Sequence, residues 1–456
     1  MADFGTSDHP AVRQQLDRLA KLSLPQGRFG LDTMRAMMAR LDNPHRKLPP
    51  VFHVAGTNGK GSSCAFLRAM LEADGKRVHV TSSPHLVRYN ERIRIAGTLI
   101  EDDYLAELLA EVLDSCEGLG PSFFEVTIAA SFLAFSRNAA DACVIEVGLG
   151  GRFDATNVIE QPAVCGIAAL GIDHEQFLLA PEEGTPDIPI ARIAFEKAGI
   201  AKAGAALVTQ SYAAEAALEI EKAATKHGVP LVMRGNAWNI TATDRLHYSD
   251  DFGDLDLPLP SLFGAHQAEN AGLAIAMLRH QRQVPVSEDA IKTGAGTAQW
   301  PARMQRLKDG RLHDIDHCFD IWVDGGHNAN AAEAIRETLS KDPRAVINFT
   351  ENGPKINVIL GMLSNKNAQQ FIQTIAPVTD VLVGVPIPGH DCHSPGALRA
   401  MAKAAGIAGH GAADDVESAL HMLNRGRPND EWQPVAILGS LYLAGEVLKL
   451  HGELPD

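Results

Sequence analysis

The segment His53-Val54-Ala55-Gly56-Thr57-Asn58-Gly59-Lys60-Gly61-Ser62-Ser63-Cys64 combines glycines, a lysine and two hydroxyls between the apolar Val51-Phe52 and a helix-periodic run from Ala65 to Leu71. Strand, glycine loop, helix is the order that binds phosphate. Gly56, Gly59 and Gly61 let successive backbone N–H groups turn inward, and the partial positive charge of a helix N-terminus adds to their pull on an anion. Lys60 brings a full charge, and Ser62 or Ser63 a hydroxyl for a phosphate-bound Mg2+. The strict P-loop spacing is not met, because Gly56 and Gly59 stand closer together and Gly61 precedes the serine. A glycine-rich turn with a solvated lysine is the plain alternative.

Further chemistry-bearing residues follow apolar runs. Ala142-Cys143-Val144-Ile145-Glu146-Val147 reads as a central parallel strand whose single charge is Glu146, and Gly148 to Asn157 after it is too long for a tight turn. Ala163 to Leu170 is another buried strand, ending in Asp173-His174, and a helix over Ile190 to Ile200 carries Glu196-Lys197. Open α/β sheets place ligands at strand C-terminal ends, where Ser83, Glu146 and His174 fall. Each has a bland reading as well: Glu146 as a solvated strand-end charge, His174 as a hydrogen-bonded structural residue, Lys197 as an exposed helix charge.

The elements that must position these residues alternate. Helices are expected over Ala11 to Leu22 and Asp32 to Leu41, a strand over Arg77 to Thr81, and helices over Asp102 to Cys116 and Phe124 to Asn138. A proline- and acid-rich stretch, Pro181 to Pro189, lengthens the segment between His174 and Lys197. Leu207 to Thr209 and Tyr212 to Lys226 continue the βα alternation, and Arg245 to Leu259 reads as short antiparallel strands. Helices over Ala265 to Gln281 and Ser287 to Thr293 lead to a junction at Ala298 to Arg303. Beyond it a second α/β series runs from the strand Phe319 to Asp324 to the helix Leu441 to Leu450.

At 456 residues the chain is too long for one ordinary core, and 45% hydrophobic with 21% charged residues is a normal globular composition. The net charge of -15 disfavours non-specific nucleic-acid binding, so anionic ligands must meet local cations. No apolar run approaches a membrane span of about 18 residues, and Met1 to Asp8 has no leader-like pattern. A cytoplasmic protein is the expectation. Cys64, Cys116, Cys143, Cys165, Cys318 and Cys392 are scattered with no paired spacing, which argues against a disulfide framework or a zinc cluster.

Gly56-Thr57-Asn58-Gly59-Lys60-Gly61-Ser62, Ser83-Pro84-His85-Leu86, Arg88-Tyr89-Asn90-Glu91-Arg92, Glu146 to Arg152, Asp173-His174, Glu196-Lys197-Ala198-Gly199-Ile200 and Asp324-Gly325-Gly326-His327-Asn328 occur in this order. Together, over roughly residues 28 to 445, the chain resembles folylpolyglutamate synthase and dihydrofolate synthase, which are Mur-ligase-like ATP-dependent amide ligases. The resemblance implies an α/β fold of two doubly wound domains with a cleft between them. These are a P-loop-type ATPase domain over 1–298 and a smaller Rossmann-like domain over 299–456. It implies that ATP phosphorylates a carboxylate and that the amine of L-glutamate attacks the acyl phosphate. The substrates would be dihydropteroate or a reduced folate, acted on by a monomer without nucleic-acid or membrane partners.

Residue by residue, the resemblance implies that Gly56 to Ser62 bind ATP with Asn270, Arg303, Asp324 and His327, and that Lys60, His174 and Lys197 serve catalysis. Two Mg2+ sites would involve Ser62, Ser83, Glu146, His174 and a carbamylated Lys197. Phe124, Arg152, Asp154 and Ala155 would line a pteroate site, as in the bifunctional members, with Phe123, Phe124 or Phe153 available to stack on a pterin. The departures are the Pro181 to Pro189 stretch and the Gly326 and Ala329 positions, where the family more often has Ala and Pro. Another Mur-type ligase, or an ATP-hydrolysing switch, remains an alternative.

Overall fold

The computed structural model describes residues 7–22, 30–341, 348–350, 353–425 and 433–455. The opening residues 1–6, read above for leader features, and residues 28 and 29, where the resemblance begins, lie outside them. Contacts divide the chain into one unit of residues up to Ser261 with Ala268–Gln299, and another of Leu262–Gln267 with Trp300–Pro455.

The first unit is built on eight strands: β1 (Val51–Ala55), β2 (Val78–Thr81), β3 (Ile93–Ile95), β4 (Thr98–Leu99), β5 (Ala142–Glu146), β6 (Val164–Ile167), β7 (Ala206–Thr209) and β8 (Leu231–Met233). Their order is β4-β3-β2-β5-β1-β6-β7-β8. All neighbours from β2 to β8 pair in parallel, while β3 and β4 add an antiparallel edge. Strands β1, β2, β5 and β6 are buried along their whole length, which explains why they read as apolar runs rather than alternating ones. β1 lies between β5 and β6, with Phe52 opposite both Val144 and Val164. The ends of β1, β2, β5 and β6 therefore open on one edge, at a point where connections leave to both sides.

Helix Lys60–Ala73 follows β1, with Gly59 in the left-handed region at its N-cap. Helix Phe123–Arg137 starts at a reciprocal cap, in which Ser122 N donates to Glu125 Oε2 and Glu125 N to Ser122 Oγ. Helix Pro189–Ala198 begins on a proline that lacks the N–H its first turn could not use. The antiparallel pattern forms its own sheet, β11-β10-β9, from Trp238–Ala242 (β9), Leu246–Asp250 (β10) and Gly253–Leu257 (β11). Helix Glu288–Thr297 runs longer than its sequence suggests, because Gly294 lets it touch the backbone of Met70 rather than breaking it.

The second unit orders Gln305–Arg306 (β12), Phe319–Val323 (β13), Gly353–Leu360 (β15), Thr379–Gly384 (β16), Gly409–Ala412 (β17) and Gln433–Leu438 (β18) as β12-β13-β18-β15-β16-β17. Asn348–Thr350 (β14) pairs with β15. All ladders of this path except β12 with β13 are parallel, with helices such as Ala329–Lys341 and Pro395–Ala404 between strands and Leu441–His451 after the last. Both units are thus doubly wound α/β, as the sequence implies. No described helix is long and apolar enough to cross a membrane.

Candidate active site

The loop after β1 is held by the chain that leaves the neighbouring strand β6. Thr57 and Asn58 donate their backbone N–H groups to Ala169 O, and Thr57 Oγ1 exchanges bonds with Gly171 O and N at 2.9 and 3.1 Å. Gly56 (φ +152) lies against Ala168, and Gly59 (φ +83) against the amide of Asn270, which a Cβ would strike. The glycines thus answer both to backbone conformation and to close neighbours, and Asn270 is brought to the loop. Ser62 is buried, and its Oγ has no hydrogen-bond partner, as is also true of Ser63. A buried hydroxyl without a partner is costly unless a ligand satisfies it.

Two lysines meet at one carbonyl. Lys60 Nζ donates to Gly56 O at 3.1 Å and to Thr57 O at 3.4 Å, and Lys197 Nζ donates to Gly56 O at 2.9 Å. Lys197 is 4% exposed. Burial first and the Lys60 charge second push its pKa down to about 7, against the opposing pull of Asp173, Asp154 and Glu196. Half of such lysines are neutral near pH 7, which the ordinary value of about 10.4 never allows.

Glu146 ends β5, buried, with Oε2 accepting from Ser83 N at 3.4 Å. The charges of Glu146 and Lys60 both reach Cys64. Glu91 caps the loop after Ser83 by accepting from Leu86, Val87 and Arg88 N, and Arg92 Nε donates to His85 Nδ1. His174 stands at the end of the β6 connection with φ +53, its N–H on Asp173 Oδ1 at 2.8 Å. The donor set fits a hard divalent ion, since Ser62 Oγ is buried without a partner and the Glu146 carboxylate stands on the next strand.

The charged groups of the loop after β5 are met by its own chain, whereas Asn157 Oδ1 is buried without a partner. Asp154 accepts from Leu149 N, Thr156 N and Thr156 Oγ1, and burial raises its pKa. Thr156 Oγ1 also meets His53 Nε2 at 2.9 Å, and burial holds that imidazole down to about 3, so it is neutral. Gly151 packs on the carbonyls of Glu196 and Lys197, and Arg152 N donates to Glu196 O. The Arg152 guanidinium grips Glu196 (3.1 and 2.8 Å) and Glu182 (3.2 and 2.5 Å) and lies over Phe153 and Phe195. Phe124 lays its ring on Gly148, and Ala155 is buried beneath the loop. Sequence reading passed over Glu182, His53 and Thr156. His53 and Thr156 lie 103 residues apart and Glu182 lies 30 from Arg152, so those pairings have no local spacing to announce them.

In the second unit, Asp324 directly follows β13 and ties three segments together. Its Oδ2 accepts from Met304 N and its Oδ1 from Gly326 N, and its own N–H reaches Ile437 O. Ala302 and Met304, at φ +55 and +43, bracket Arg303, whose Nη1 donates to Ala302 O. His327 Nδ1 bonds Gly325 O. Arg303, Asp324 and His327 thus form one local group.

A phosphate loop with a buried acid on the neighbouring strand marks a nucleotide-using enzyme of the P-loop type. Residues 311–450 match the family model for the dihydrofolate synthetase C-terminal domain. The dihydrofolate synthase/folylpolyglutamate synthase of Bacillus subtilis is 31% identical over 439 residues, covering 92% of this chain and 94% of the relative. The structure of E. coli FolC in complex with DHPP and ADP is similar at TM-score 0.82 and 28% identity, over 97% of this chain and 98% of that one. That of the bifunctional Yersinia pestis enzyme with AMPPNP and Mn is similar at TM-score 0.81 and 27% identity, over 97% and 99%. The chain belongs to the dihydrofolate synthase/folylpolyglutamate synthase family of ATP-dependent ligases.

Proposed function

We propose that this protein joins L-glutamate to dihydropteroate and to reduced folates, activating the acceptor's carboxylate with ATP. The γ-phosphoryl group passes to a carboxylate oxygen and ADP leaves. The amine nitrogen, after its ammonium gives up a proton, attacks the acyl carbon, phosphate departs with the electron pair of the broken C–O bond, and the nitrogen loses a second proton to leave the amide N–H. The observation that carries this reading is the partnerless Ser62 Oγ in the first turn of the helix that follows β1, the strand paired with that of Glu146.

Lys60 exchanges two backbone carbonyls for phosphate oxygens and neutralises charge there. Gly56 to Ser62 orient the triphosphate by their backbone, with Asn270 beside Gly59 toward the base. Within the second unit, Arg303, Asp324 and His327 form a local group that would contact nucleotide. Ser62, Ser83, Glu146, His174 and Lys197 would hold divalent ions, which polarise the phosphate and offset its charge. Lys197 is suited to carbamylation, since only a neutral amine takes up carbon dioxide, releasing a proton and becoming an anionic oxygen donor. Phe124, Arg152, Asp154 and Ala155 surround the acceptor's ring end, and having both activities rests on this loop.

The test is phosphate release from ATP and glutamate, run separately with 7,8-dihydropteroate and with a reduced folate. Turnover of both is expected. Turnover of the folate alone reduces the protein to a chain extender, and turnover of neither overturns the reading.

A further inference from the structure

Between His174 and Lys197 the chain makes a detour whose residues from Ala180 to Ile188 are largely exposed, yet one carboxylate in it is tightly held. Glu182 Oε2 accepts from Arg152 Nη2 at 2.5 Å and from Arg192 Nη2 at 3.0 Å, while Oε1 accepts from Arg152 Nη1. Both arginines also pair with Glu196, at 2.8 and 3.1 Å, so charges of alternating sign close a ring. Arg192 and Glu196 are almost fully buried on helix Pro189–Ala198, whereas Arg152 and Glu182 are about three-quarters buried. Such bidentate pairs fix geometry as well as energy.

The ring reaches His174 through a short path. Arg192 Nε donates to Leu178 O at 3.1 Å, and Leu178 N and Phe177 N donate to His174 O at 3.0 and 2.9 Å. Leu178 is buried against Gly150 of the glycine loop. One guanidinium therefore brackets the start and end of the Leu178-to-Glu182 stretch, and the turn that begins at His174 hangs from that bracket. His174 itself occupies the left-handed region at φ +53, a conformation that a histidine keeps only when its surroundings determine it.

We propose that Glu182 and Arg192 are positioning residues for His174: the ring anchors the exposed detour to the helix of Lys197, so that the imidazole and Lys197 keep a fixed register. This inference rests on the proposed function, in which His174 holds a divalent ion. Groups behind a metal ligand commonly change metal affinity by 10- to 100-fold when removed, an order of magnitude for such supports.

The experiment is Mn2+ binding by the full chain with a non-hydrolysable ATP analogue, followed by the free-ion EPR signal. Wild type, Glu182→Gln, His174→Ala and the double variant are compared. Glu182→Gln is expected to weaken Mn2+ about tenfold, and to weaken it no further in the His174→Ala background, since coupled residues are non-additive. Glu182→Asp, with its charge kept, should recover part of the loss. It replaces Glu182→Gln in the comparison should that variant melt early. Unchanged affinity in the Glu182 variants, or a loss that persists in full without His174, overturns the proposal. Unchanged affinity in His174→Ala means instead that the metal reading itself has failed.

Discussion

Two glycine-rich loops leave the ends of adjacent strands in the first sheet, and their polar groups are satisfied in opposite ways. After β1, the Ser62 and Ser63 hydroxyls are buried without partners, and Lys60 has only backbone carbonyls. After β5, Arg152 has two carboxylates and Asp154 three donors, all from this chain. The first loop carries groups whose natural partner comes from outside. The second has used its groups to build a wall. A glycine serves both, but for different reasons: conformation and approach to the Asn270 amide at Gly59, approach to the backbone of a neighbouring helix at Gly151.

Substitutions should separate the two roles. The largest effect is expected for Lys60→Ala: phosphate release falls by about 100-fold or more, with the urea midpoint close to wild type. A large loss of stability would make the lysine structural and erase the contrast. Next comes pH. Lys197 is mostly neutral above about 7 and protonated below it, so activation by added bicarbonate should rise with pH. Between about pH 6 and about pH 8 the neutral fraction changes roughly tenfold. Activation that is flat across that range, or absent, removes carbamylation from the account.

In the second loop the order reverses, with stability leading and catalysis following. Gly151→Ala places a Cβ 2.8 Å from the carbonyls of Glu196 and Lys197, and overpacking of this kind costs about 1 to 3 kcal/mol. Chemical denaturation should show it, with phosphate release at saturating substrates reduced far less than in Lys60→Ala. The smallest effect is expected for Arg152→Lys, which keeps the charge but loses the fork that meets two carboxylates. Its KM for dihydropteroate should rise while its KM for ATP stays level. Equal changes in both would mean that the loop supports the whole site rather than the acceptor.

The phosphate loop was legible because its chemistry is local: glycines, lysine and serines lie within a few residues between a strand and a helix. The buried parallel strands were legible too, as apolar runs ending in Glu146 or Asp324. Strands β3 and β4 passed unnoticed because three and two residues give alternation no room to show. The ring of Arg152, Glu182, Arg192 and Glu196 was hidden for a different reason. It closes through tertiary pairing, and in sequence its acids and bases look like ordinary surface charge. Pro181 to Pro189, which threatened the geometry around His174, turns out to supply one of that ring's members.

The cysteines carry a practical consequence. Cys64, Cys116, Cys143 and Cys165 are buried in the first unit, and burial raises the pKa of each thiol, that of Cys165 to about 12. Cys318 and Cys392, both half-buried, belong to the second unit. A maleimide dye would therefore label the second unit and leave the first dark, so that a fluorescence probe of its response to nucleotide needs no engineered attachment point.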